Sequence, residues 1–274
     1  MLLLRLQLIT FTEQKSRSFQ SGKKLLIIQK ILYYELRDIP RKNPITISMP
    51  LYLGLNPLSA KRFSATFQPI IRIIPFSKQA PQIRRARKFL VSASYILLTS
   101  PSSTDCFFSS IRKKILLPSL INKNFVTIGE TTSSRLRVYL PKAKITQCEF
   151  PQAEAFLPIL SSLPKNSSLL YPHSSLSRPV IRSFLETLPQ PFFAYPHYTV
   201  KAVKLSLKIF IPHKTIILTS PSIVRAYAEL FPLLPNKEHW CLGEVSASEF
   251  KKIFHCSPSK ILFSAKKFSY CESQ

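Results

Sequence analysis

Tyr95-Ile96-Leu97-Leu98-Thr99-Ser100-Pro101-Ser102 returns later in the chain as Thr215-Ile216-Ile217-Leu218-Thr219-Ser220-Pro221-Ser222. Each copy is a short apolar run that halts at Thr-Ser-Pro-Ser. A run of this kind, with no alternation, suits a parallel strand buried on both faces. The residues after the second copy have helical period: Ile223, Ala226, Tyr227, Leu230 and Phe231 share one face. Ser220 is placed to cap that helix, and Pro221 to open it where a missing N–H costs nothing. Strand, Ser-Pro, helix is therefore a unit used twice.

A second echo trails each copy. Val126-Thr127-Ile128-Gly129-Glu130-Thr131-Thr132 follows the first, and Trp240-Cys241-Leu242-Gly243-Glu244-Val245-Ser246 the second. Both read as a short apolar strand, then Gly-Glu, then hydroxyl residues opening a helix. The chain has only four glycines, and Gly129 and Gly243 fall at equivalent places in the repeat. That pairing predicts a backbone requirement at both, either positive φ or close approach of a ligand. For one copy alone, plain helix-start chemistry explains the residues as well.

Between the copies, residues 168–175 read as another strand into a loop, 177–186 as a helix, and 192–200 as extended chain. Strand–helix alternation on this spacing predicts an α/β fold with two doubly wound parallel-sheet domains. In such sheets ligands bind beyond the carboxyl ends of the strands, where the Thr-Ser-Pro, Gly-Glu and Tyr171-Pro172-His173-Ser174 turns fall. Two halves facing one another would enclose a cleft lined with hydroxyls and helix N-termini, a surface suited to anions.

The charge agrees with an acidic ligand. Among 274 residues, 39 Lys and Arg stand against 13 Asp and Glu, a net charge of +26. At 45% hydrophobic residues the chain is too apolar for disorder. No apolar run approaches the roughly 18 residues of a membrane span, and Arg5 interrupts Leu2-Leu3-Leu4 with no small-residue cleavage site after it. Five scattered cysteines without a Cys-x-x-Cys pair fit a reducing compartment, so a cytoplasmic protein is expected. His239, Cys241, His255 and Cys256 are too closely spaced for a zinc finger or ribbon; core thiols and surface histidines are the better reading, and no metal is expected. Residues 1–48 lack any part of the repeat. They read as an appendage, either a flexible extension or upstream sequence translated from a mis-assigned start before Met49. They carry nine of the basic and three of the acidic residues, so the basic excess belongs to the body.

Familiar catalytic motifs are absent: the chain has no P-loop, no Gly-x-Gly-x-x-Gly and no Gly-x-Ser-x-Gly. Aspartate occurs only at Asp38 and Asp105, too sparsely for two-metal phosphoryl chemistry or a Ser-His-Asp triad. Chemistry here would rest on hydroxyl donors, backbone amides and orientation of a reactive substrate. The run Arg84-Arg85-Ala86-Arg87-Lys88 could bind phosphates, but no nucleic-acid motif accompanies it, and a solvated helical face is the plainer reading.

From Met49 onward these motifs, in this order, resemble the uroporphyrinogen-III synthase family. The resemblance runs through Leu55-Asn56-Pro57, Ile70–Pro75, Leu98-Thr99-Ser100-Pro101, Ile128-Gly129-Glu130-Thr131-Thr132, Leu170–Ser175, His197-Tyr198-Thr199-Val200, Thr219–Ser222 and Gly243–Ser246, over about residues 49–255. The chain departs from the family pattern at Ser246, where threonine is usual, at Asn56, where arginine is common, and in 171–175, which lacks a glycine. The resemblance implies two α/β domains, 49–75 plus 203–274 and 76–202, facing across a cleft and joined by paired extended linkers. It implies a cofactor-free lyase that cyclises hydroxymethylbilane to uroporphyrinogen III with inversion of the terminal pyrrole ring, working as a monomer without nucleic acid or membrane. It assigns Tyr198 as the hydrogen-bond donor that assists departure of the substrate hydroxyl, and a phenol is protonated at neutral pH. An aromatic with a satisfied hydroxyl is the plainer alternative for Tyr198. Read with the resemblance, the strand-end turns give Thr99, Ser100, Gly129, Thr132, Ser174, Ser175, Thr219, Ser220, Gly243 and Ser246 as the expected substrate-binding set, with the Thr132 and Ser246 hydroxyls facing the cleft. The rival expectation is a non-enzymatic basic α/β protein that binds nucleic acid or another polyanion.

Overall fold

The computed structural model describes residues 48–111, 118–148 and 152–263. Expectations for residues 1–47 lie outside that range. Ser48 and Met49 belong to the body: Ser48 Oγ accepts the Lys214 N–H at 3.0 Å, and Met49 O lies 2.7 Å from His213 Nδ1.

Both copies of the first echo fold as the unit that their sequence predicts. In the first, β4 (Tyr95–Leu98) runs through Thr99-Ser100 into α3 (Pro101–Ser110). In the second, β9 (Thr215–Leu218) runs through Thr219-Ser220 into α7 (Pro221–Leu230). The second echo supplies β5 (Asn124–Ile128) with α4 (Gly129–Tyr139), and β10 (Glu238–Gly243) with α8 (Glu244–Phe254). Each copy then adds one outer strand, β6 (Lys144–Cys148) or β11 (Lys260–Phe263). The remaining strands are β1 (Leu51–Tyr52), β2 (Thr66–Phe67), β3 (Ile71–Pro75), β7 (Leu169–Ser174) and β8 (Phe192–Ala202).

The strands form two sheets, ordered β11-β10-β9-β1-β2 and β3-β8-β7-β4-β5-β6. The echo is thus a duplication of topology. Strands β2, β1, β9, β10 and β11 of one sheet match β8, β7, β4, β5 and β6 of the other in order. The chain enters the two at different points: β1 and β2 precede their partners in sequence, whereas β7 and β8 follow theirs. The first sheet is parallel throughout. The second departs from the all-parallel expectation at its edge, where β3 pairs antiparallel with β8.

Residues alternate between the two faces of each sheet. Ile96, Leu98, Phe125 and Leu170 pack with α2 (Pro81–Ser92), α3 and α4 through Ile83, Leu90, Phe107, Phe108 and Leu136. Leu97, Val126, Leu169 and Tyr171 turn the other way, onto α5 (Phe156–Ser161) and α6 (Val180–Leu185) through Phe156, Leu160, Ile181 and Leu185. In the five-stranded sheet Leu51, Leu53, Ile216 and Leu218 pack under α7 and α8 with Ile223, Tyr227 and Phe250. Tyr52 and Ile217 face Ala60 of α1 (Pro57–Arg62). Apolar area buried on both faces is the main stabilising term, which is why these strands read as unbroken apolar runs.

Strand β8 serves two partners. Its first half pairs parallel with β7 and its second half antiparallel with β3, from Ile71↔Ala202 to Pro75↔Tyr198. Ile70 and Ile71 of this ribbon, with Val200 and Ala202, pack into the core of the five-stranded sheet.

Two expectations need correction. Gly129 has φ 65°, the left-handed region that a side chain resists, but Gly243 has φ −163°, extended backbone that any residue adopts. A Cβ at 243 would meet only Phe263 O at 3.7 Å, an ordinary contact, so of the two it is Gly129 alone whose backbone calls for glycine. His239 is a core residue, 2% exposed, not a surface one. It sits among Tyr227 and Phe250, with Nε2 3.1 Å from the Tyr227 hydroxyl, and burial pulls its pKa down to about 4.

Candidate active site

The carboxyl ends of β4, β7 and β8 bring together a serine–tyrosine cluster. Ser100 is the N-cap of α3: its backbone is extended (φ −167°, ψ 159°) and its Oγ accepts the Ser103 N–H at 3.0 Å. The Tyr198 hydroxyl lies 3.5 Å from Ser100 Oγ. Ser174 closes β7, and its Oγ accepts the Leu176 N–H at 3.2 Å. Ser175 donates its N–H to Tyr198 O at 2.9 Å and its hydroxyl to Thr199 Oγ1 at 2.8 Å. Tyr198 is buried, and burial raises its pKa above the usual phenol value, against the lowering effect of Ser100 and Ser174. The result is a neutral donor at any physiological pH.

An irregularity in β8 aims this tyrosine. His173 pairs with Pro196 and Ser174 with Tyr198, so His197 is an extra residue in the strand. Regular pleating would send His197 and Tyr198 to opposite faces of the sheet. Here both side chains reach the start of α3, Tyr198 at Ser100 and His197 at Ser103, which is how a bulge re-aims side chains beside a site. His197 Nε2 lies 3.1 Å from Ser103 Oγ, which donates to Pro172 O at 3.1 Å. Its Nδ1 is buried without a partner among the described residues. Burial pulls its pKa down to about 3, so the ring is neutral. Neighbouring His173 donates from Nδ1 to Ser174 O at 2.8 Å, and burial lowers its pKa too.

The motifs did not single out His197 or Ser103. A signal was present in Tyr195-Pro196-His197: a proline inside a strand marks a bulge or an edge, and this one sits beside the extra residue.

The other expected residues fall into two sets. Thr99 precedes Ser100 at the end of β4, half-buried. Gly129 and Thr132 lie one strand along, at the start of α4. Thr219, Ser220, Gly243 and Ser246 occupy the matching ends of β9 and β10 in the five-stranded sheet. Ser220 copies the Ser100 backbone (φ −159°, ψ 161°), but its side chain makes no cap bond. Thr132 and Ser246 are 1% and 4% exposed. Both side chains are therefore largely covered by the protein around them.

Asp105 is engaged elsewhere. It accepts from the Arg135 guanidinium and, at 2.9 Å, from the Tyr139 hydroxyl, tying α3 to α4. Among the described residues no group of three or more His, Cys, Asp or Glu side chains could hold a metal ion, and no helix is long and apolar enough to cross a membrane.

Comparison with known proteins adds the family. No curated protein matches the chain significantly. Among solved structures, uroporphyrinogen-III synthetase from Helicobacter pylori matches with a TM-score of 0.55 at 16% identity, over 78% of this chain and 92% of that one. A mutant uroporphyrinogen III synthase from the extremely thermophilic bacterium Thermus thermophilus matches with a TM-score of 0.53 at 14% identity, over 78% and 91%. At such identities these likenesses establish the fold alone. The family model described as uroporphyrinogen-III synthase HemD matches residues 56–254, an interval that holds both sheets' strand-end turns and every residue of the serine–tyrosine cluster. The chain belongs to the uroporphyrinogen-III synthase family.

Proposed function

We propose that this chain is itself a working uroporphyrinogen-III synthase, a lyase of tetrapyrrole biosynthesis that closes hydroxymethylbilane into uroporphyrinogen III. Its family is one of lyases in haem biosynthesis, and the observation that carries the finer reading is Tyr198, buried and neutral, with its hydroxyl 3.5 Å from Ser100 Oγ at the strand ends. In this reading the phenol donates a hydrogen bond to the substrate hydroxyl as it leaves, and an azafulvene forms. The terminal pyrrole then attacks at its substituted carbon, and the spiro intermediate fragments and recloses with that ring inverted. Ring closure to the type I isomer needs no catalyst, so the protein's task is to fold the substrate so that the substituted carbon attacks.

The division into 49–75 plus 203–274 and 76–202 remains part of this reading, with the substrate between the two sets of strand ends and Thr99, Ser100, Gly129, Thr132, Ser174, Ser175, Thr219, Ser220, Gly243 and Ser246 presenting hydroxyls and amides to its carboxylates. The topological duplication supports it, because it places equivalent helix starts on both sheets. The deciding experiment supplies hydroxymethylbilane to the purified chain and resolves the product isomers. Uroporphyrinogen III in excess of type I is the expected result; type I at the spontaneous rate would refute the proposal.

A further inference from the structure

A ring of contacts closes around Tyr198. Its hydroxyl lies 3.5 Å from Ser100 Oγ. Ser100 Oγ is held at 3.0 Å by the Ser103 N–H, and Ser103 Oγ lies 3.1 Å from His197 Nε2. His197 is joined to Tyr198 through the chain, and the two rings meet edge-on, centroids 5.0 Å apart. Ser103 thus holds the residue that Tyr198 points at and the residue that precedes it.

The protons in this ring can be placed. Ser103 Oγ has one hydrogen and gives it to Pro172 O at 3.1 Å. His197 Nε2 must then be the donor to Ser103, which makes the imidazole the Nε2–H tautomer and leaves Nδ1 a bare lone pair. That lone pair is buried and unpartnered, at a cost that an apolar ring of the same shape would not carry. The bulge gives up regular pairing as well. What the imidazole supplies in return is the Nε2–H bond, which pins the extra residue of β8 to the first turn of α3 and, through Ser103, to Pro172 of β7.

We propose that His197 is a positioning residue: locked to Ser103, it holds the β8 bulge in register so that the Tyr198 hydroxyl is delivered to Ser100. The proposal rests on Tyr198 being the donor in ring closure. Its physical basis is the period of a strand, in which a slip of one residue turns Tyr198 to the opposite face.

The test compares the unaltered chain with His197→Leu, His197→Gln, Tyr198→Phe and the double variant His197→Leu/Tyr198→Phe, in the type III isomer assay with parallel melts. His197→Leu lowers kcat about tenfold, the scale expected for a misplaced group, with KM nearly unchanged. His197→Gln carries an amide N–H that reaches the place of Nε2–H, and it restores most of the rate. On the Tyr198→Phe background His197→Leu costs less than about twofold, because residues acting as one unit are not additive. Equal losses on both backgrounds, or a glutamine no better than leucine, overturn the proposal while leaving Tyr198 in place. Full activity in Tyr198→Phe overturns the assignment of Tyr198 itself, and the positioning role with it. If His197→Leu does not fold, Ser103→Ala makes the same comparison, since it removes the acceptor of the imidazole and keeps the backbone N–H that holds Ser100.

Discussion

At Tyr198 a single oxygen atom separates two readings, an assisting donor and an aromatic whose hydroxyl is merely satisfied. Tyr198→Phe keeps the ring and its packing and removes only that oxygen. A rate loss of about 10²-fold is expected, near the low end for general acid catalysis, with the product still mainly type III. An unchanged rate removes Tyr198 from the mechanism, and a switch to type I makes it a positioning group. The buried histidines carry a second prediction. His197 and His239 have pKa values pulled down to about 3 and about 4, against about 6.5 for an exposed imidazole. Both are neutral in the folded chain and gain a proton only on unfolding, so acid favours the unfolded state from about pH 6.5 downward. Between pH 7 and pH 5 each costs up to about 2 kcal/mol of stability. Urea melts at the two pH values measure the loss, and His239→Gln should reduce its size; equal stability at both would show that the rings take up a proton as readily in the folded chain as in the unfolded one. The tyrosine was legible in the sequence because its neighbours match a family pattern. His197 was not, since only a register count shows which residue of β8 is the extra one.

At the scale of elements, the two copies of strand–Ser-Pro–helix look alike in sequence and differ in their caps. Ser100 and Ser220 share a backbone conformation, but only Ser100 accepts a helix N–H through its side chain. Ser100→Ala should therefore cost about 1 kcal/mol of stability, and Ser220→Ala a few tenths at most. Thermal melts of the two variants decide it, and equal losses would contradict the cap geometry. The shared glycines divide in the same way. Gly129→Ala forces a side chain into φ 65° and should cost about 1 kcal/mol. Gly243→Ala finds extended backbone and only an ordinary contact with Phe263 O, and should be neutral or stabilise by about 0.5 kcal/mol through a less flexible unfolded chain. Both strand runs and both helices could be read from apolar periodicity and Ser-Pro chemistry, which are local. Cap bonds, dihedral angles and the burial of Thr132 and Ser246 depend on packing between elements. One sequence echo covers both outcomes.

At the scale of the whole molecule, the repeat announced two α/β sheets but not how the chain threads them. β1, within the apolar stretch Pro50–Gly54, reads as a short buried strand, but β2 is two residues long and too short for a periodic signal, and both come before their partners rather than after. Their equivalence to β7 and β8 appears only in the strand order. The antiparallel β3–β8 ribbon was also hidden, because an apolar run such as Ile70–Ile74 looks the same in either direction. The break placed at Met49 leaves out Ser48, whose hydroxyl accepts the Lys214 N–H. That bond, with the contact of Met49 O to His213, secures the entry of the chain beside β9. A chain shortened to begin at Ser48 after its initiating methionine keeps both contacts, both sheets and every residue proposed for the site. It should melt within a degree or two of the full chain, because about 1 kcal/mol would shift the midpoint of a body this size by roughly 2–4 °C. It should also form uroporphyrinogen III at an equal rate. A shortened chain that aggregates, melts several degrees lower or loses the type III product would show that residues 1–47 complete the core or the site, and that they are no appendage.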